Sequence, residues 1–168
     1  MKLLLAAGAT AALLFAQQFK FNLEHLAAKA SNKVELNLGP EMLQLGLSVL
    51  SSKDPDQAKV KQMVSGLQGI YIRNFEFKKT GEYSKSDLDQ IRDQLKAPEW
   101  QRIAGFESNT DGEIVEVWVR MESGKMAGLA ILAADPKELT VVNLVGAVEL
   151  SALSDLGGKF GMPKIKKK

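Results

Sequence analysis

GLAILAADPKELTVVNLVG, residues 128–146, holds two apolar runs hinged on Asp135, Pro136, Lys137 and Glu138. Within each run both alternating sets are apolar. Leu129, Ile131 and Ala133 oppose Gly128, Ala130 and Leu132, and Leu139, Val141 and Val145 oppose Val142 and Leu144. A strand that is greasy on both sides belongs in the middle of a sheet covered on both faces. At the hinge, Asp135 fits the first position of a turn and Pro136 the second. The same run can also be read as a docking face, since exposed apolar patches mark interaction sites.

Working outward, a period of two persists from about residue 100. "WQRIAGFES" passes through the turn "NTDG" into "EIVEVWVRM", where Val115, Val117, Val119 and Met121 alternate with Glu116, Trp118 and Arg120. One side of that strand is polar, so it is expected to be wetted there. "ESGK" is a second tight turn, and the hinge segment completes a β-meander. Upstream, "GIYIRNFEF" is rich in β-branched and aromatic residues and reads as a strand, with Tyr71, Arg73, Phe75 and Phe77 on one side. "VELNL" is a brief strand or a wide turn.

Five segments carry helical spacing. Leu23, Leu26, Ala27 and Ala30 form one stripe. After Gly39 and Pro40, Met42, Leu43, Leu45, Leu47, Val49 and Leu50 form a broad apolar face, expected to be buried on more than one side. Asp54, Pro55 and Gln57 provide a cap, a first helical residue and a capping-box partner for a third helix. Ser84 or Ser86 can cap a fourth, whose stripe is Leu88, Ile91 and Leu95 and which ends before Pro98. "ELSALSDLGGKFG" is a short closing helix stopped by glycines. Together these predict one α+β domain, a largely antiparallel sheet of about five strands with helices packed on it.

The chain of 168 residues suits a single domain with a real core. Lys2 followed by an uncharged, mostly apolar run from Leu3 to Ala16 has the order of a secretory signal and is short for a bilayer span. We assign residues 1–16 as signal peptide, 17–163 as the domain and 164–168 as a basic tail. Localisation is then the periplasm or cell envelope. From Asp155 onward the net charge is +4, which leaves −3 for the rest of the mature chain.

The absence of cysteine excludes disulfides, a thiol nucleophile and zinc–thiolate sites. His25 is the single histidine, which argues against a metal site, a cofactor or a Ser-His enzyme. "LGGKFG" lacks phosphate-loop spacing. Asp89 and Asp93 fall on the solvent side of their helix with Arg92 and Lys96 as spacing partners. No catalytic residue is assigned. Candidate binding positions are Glu116, Trp118 and Arg120 on the polar side of their strand, Asp135 at the hinge, and Lys164, Lys166, Lys167 and Lys168 in the tail, which suit anionic lipid headgroups rather than nucleic acid in an exported protein. From another class, Glu116 with Glu113 and Glu122 could serve a carboxylate-dependent hydrolase. A structural envelope component is a third option.

"LAAKASNKVELNL", "GIYIRNFEF", "GEYS", "WQRI", "VEVWV", the hinge segment and "LGGKFGMPK" together resemble the exported bacterial family called domain of unknown function 4252, over about Leu26 to Pro163. The resemblance implies a bacterial envelope protein that accompanies regulators of envelope stress, and the favoured function is a non-catalytic module that binds or senses a protein partner in the envelope. It brings no catalytic residues.

Overall fold

The computed structural model describes residues 23–96 and 98–148. Helix α1 (Glu24–Lys29) leads into β1 (Asn32–Leu38), followed by α2 (Pro40–Val49), α3 (Pro55–Val64) and β2 (Leu67–Glu76). Then come α4 (Lys85–Asp93) and the strands β3 (Trp100–Glu107), β4 (Ile114–Glu122), β5 (Lys125–Asp135) and β6 (Glu138–Gly146). All six strands form one antiparallel sheet in the order β1-β2-β6-β5-β4-β3. The expected meander is β3 to β6. It closes by laying β6 against β2, so the hinge segment forms the two strands at the middle of the sheet. There is one strand more than expected, because "VELNL" pairs along its length with β2, from Asn32 opposite Glu76 to Leu38 opposite Ile70.

Local chemistry sets the helix ends. Asp54 accepts bonds from the Asp56 and Gln57 amides at the start of α3, where Pro55 takes the first turn. The Gln57 side chain does not complete a capping box; its Oε1 accepts from the Ser51 amide at 2.8 Å. Ser84 and Asp87 do form a reciprocal capping box on α4, and Ser84, not Ser86, is the cap.

The core lies on one face of the sheet. Leu23 and Leu26 of the α1 segment and Leu88, Ile91 and Leu95 of the α4 segment pack on Phe75, Ala130, Leu132, Ala134, Leu139 and Val141. Small residues on β5 let the helices sit close, and the apolar area removed from water there contributes most of the stability. Trp100 joins this cluster from the start of β3. At the other end of β5 the Tyr83 hydroxyl donates to the Asp135 carbonyl, and the Tyr83 and Phe77 ring centroids are 6.0 Å apart. Burial, and secondarily the Asp135 carboxylate, raise the Tyr83 pKa.

On the opposite face Leu129 is buried, but Ile131, Ala133, Val142 and Leu144 are only half-buried. Helix cover on both faces is therefore incomplete among the described residues, and the closing helix expected near residues 149–158 lies outside them. Nor is α2 buried on several sides. It packs against β1 and β2 and buries only Leu43 and Leu47, with Leu45 61% and Val49 76% exposed. No helix among the described residues is long and apolar enough to cross a membrane.

Candidate functional site: the β4 strip under helix α4

The alternation of β4 places Glu116, Trp118 and Arg120 on one face, and the sheet register decides what that face meets. Glu116 is opposite Leu132 of β5, Trp118 opposite Ala130 and Arg120 opposite Gly128. These belong to the core face, so the polar side of β4 is turned towards the helices and not towards water. The expectation of a wetted polar side is overturned. Glu116 is only 5% exposed, while Ile103 and Phe106 of β3 and Met121 of β4 stay in solvent. The cause is long-range. Arg92 of α4 reaches down to Glu116, its Nη2 at 2.8 Å from Oε1 and its Nε at 3.2 Å from both oxygens, and Arg102 of β3 adds a contact at 3.3 Å. A desolvated carboxylate is tolerable when guanidinium groups compensate its charge and fill its lone pairs. The hydrogen bonds to Glu116, and more weakly those to Asp89, raise the Arg92 pKa against the opposing effect of burial.

The sequence places Asp89 and Arg92 as helical neighbours, and they do pair at 3.1 Å, as Lys96 and Asp93 do at 2.8 Å. The second role of Arg92 is 24 residues away in the chain and has no local signal. Lys85 also bonds Asp89 and, with Arg92, holds its carboxyl below the usual range. A similar clasp joins α1 to α4, where His25 Nε2 lies 2.8 Å from Asp87 Oδ1. Burial pushes the Asp87 carboxyl up, but bonds from the Ser84 backbone and hydroxyl and from His25 outweigh it and hold the group below its ordinary value. His25 is thus half of a two-residue clasp, and the described residues contain no grouping of three or more His, Cys, Asp or Glu that could hold a metal ion.

Trp118 and Arg120 differ from Glu116. The Trp118 indole Nε1 and the Arg120 Nη1 are shut off from solvent and have no hydrogen-bond partner. Among the described residues Arg73, Arg92 and Arg102 each hold a carboxylate, and Arg120 holds none. The Arg102 guanidinium, 53% exposed at its side chain, sits 6.0 Å from the Trp118 ring. Irregularities in both neighbouring strands bracket this pair. The β3–β4 register slips between Arg102 and Ala104, and the β4–β5 register slips just after Arg120. Such bulges re-aim side chains. Gly128 faces Arg120 across the second slip, and a Cβ there would stand 3.3 Å from the Trp100 ring and 3.5 Å from the Arg120 Cβ. Its missing side chain leaves room for the edge of the Trp100 indole beside the Arg120 stem.

The remaining sequence candidates fall elsewhere. Asp135 closes the β5–β6 hairpin, its carboxylate accepting from the Lys137 amide at 2.7 Å, and it is not part of the β4 strip. Lys164, Lys166, Lys167 and Lys168 lie outside the described residues. Arg92, Arg102 and Trp100 are the members of the site that sequence patterning missed.

No curated protein matches the chain. The family model described as Domain of unknown function (DUF4252) matches residues 27–156, a span that takes in the whole sheet, helix α4 and the β4 strip, and the chain belongs to that family.

Proposed function

We propose that the protein is an exported, non-catalytic binding or sensing module of the bacterial envelope, with the β4 strip as its recognition site and a link to envelope-stress regulation. The observation that carries this reading is the pair of buried donors without partners, Trp118 Nε1 and Arg120 Nη1. Folded proteins pair nearly all such groups, so two within one strand are readily explained by a ligand. The hydrolase alternative loses support because both oxygens of Glu116, its central residue, are engaged by Arg92.

Crosslinking the mature chain in its native envelope, with mass-spectrometric identification, tests this reading. A partner captured by the natural chain and lost with Arg120→Gln is expected. An activity on envelope polymers that is abolished by Glu116→Gln in a folded protein would overturn it.

A further inference from the structure

The chemistry of the β4 strip narrows what it binds, given the binding-module reading above. Three guanidinium groups, Arg92, Arg102 and Arg120, share this surface with two carboxylates, Asp89 and Glu116. Both carboxylates are taken, Asp89 by Lys85 and Arg92, Glu116 by Arg92 and Arg102. Among the described residues Arg120 is the one of the three guanidinium groups that holds no carboxylate. Water could satisfy its Nη1 and the Trp118 Nε1, but it would not neutralise a guanidinium whose Nη1 is shut off from solvent. An anion does both. The two unpaired donors belong to residues two apart on one strand face, whose backbones stand roughly 6–7 Å apart along the chain, so both side chains are within reach of one small group. A carboxylate supplies a single negative charge and two oxygens in the geometry a guanidinium favours.

The geometry points to a carboxylate-recognition site in which Arg120 and the Trp118 indole N–H bind the two oxygens. Trp100 shields the bound pair, and Arg102 provides additional positive potential from the rim. The carboxylate belongs either to a partner polypeptide or to a small organic acid, and one experiment separates the two.

The protein has two tryptophans, so the indole N–H signals of the isotope-labelled full mature chain can be followed one by one by NMR. The Trp118 signal is identified by its loss in Trp118→Phe. Titration with sodium acetate should shift that signal saturably. Arg120→Lys, which keeps the charge and loses the fork, should weaken binding, and Arg120→Gln should weaken it about tenfold or more, the worth of a hydrogen bond to a charged group. Trp118→Phe, followed through the Arg120 side-chain signals, should also weaken binding and serves if Arg120→Gln fails to fold. Trialanine binding better than its C-terminal amide identifies a polypeptide chain end, whereas acetate binding without trialanine binding identifies a small acid, and either supports the site.

Absence of a saturable Trp118 shift with any carboxylate overturns the proposal, as does inorganic phosphate binding more tightly than acetate. An envelope partner whose capture ignores both acetate and Arg120→Gln would leave a binding module standing and remove this site from it.

Discussion

Replacing Arg92 with Met removes the main partner of Glu116 while keeping an unbranched apolar stem to pack under α4. The Glu116 side chain is 6% exposed and Arg92 26%, so the pair is well shielded. Breaking a buried pair by deleting one member costs about 3–5 kcal/mol, because the remaining charge is desolvated without compensation. Arg102 stays at 3.3 Å but is half in water, so it recovers only part of this. The expected loss is about 2–3 kcal/mol, which for a domain of this size lowers Tm by roughly 5–10 °C. Urea denaturation at neutral pH, followed by circular dichroism, measures it.

The double variant Arg92→Met/Glu116→Gln removes the stranded charge and should recover much of the loss, giving a coupling energy of about 1–3 kcal/mol. If Arg92→Met costs less than about 0.5 kcal/mol, as exposed pairs do, then the Arg92–Glu116 clasp is not the buried pair described and the account of the β4 face is wrong.

Other expectations separate core from surface and local from distant contacts. Ile91→Ala, at a position with no exposure, should cost about 2–5 kcal/mol, while Leu45→Ala on the open side of α2 should stay within about 0.5 kcal/mol by the same denaturation assay. Gly146 has φ of 113° and a Cβ there would stand 2.5 Å from the Gly66 carbonyl oxygen, so Gly146→Ala should cost about 2 kcal/mol or more, and a wild-type-like melting curve would contradict that crowding. Asp87 contributes pH-dependent stability. Because its native pKa is depressed, this contribution is complete above the ordinary carboxylate range, near pH 4, and is lost as pH falls through the lower native value. Asp87→Asn should therefore be less stable at neutral pH and show a shallower loss on acidification than the natural chain, and parallel acid titrations would refute this.

Features governed by neighbours a few residues away were legible in the sequence. A serine cap at the start of α4, the Leu88–Ile91–Leu95 stripe, the alternation of β4 and the Asp135 turn depend on spacings of two to four residues. So was the central position of the hinge strands, because apolar residues on both sides of a strand need cover. Glu116, Trp118 and Arg120 could be marked as one polar row from alternation alone.

What that row faces could not be read, since alternation defines two sides of a strand without saying which one meets the helices. That choice rests on Arg92 coming down on Glu116 from α4 and on β6 closing against β2, with Glu138 opposite Glu76. The same limit explains α2, whose apolar residues outnumber the places the sheet offers them: only Leu43 and Leu47 find cover. Sequence by itself determined most of the elements and the central strands, because local spacing and the alternation of apolar residues specify them. Only the tertiary structure decided that a carboxylate would be buried, that its arginine would come from another element, and that Arg120 and Trp118 would be enclosed with donors to spare, because desolvation and charge pairing depend on what the completed sheet and helices bring together.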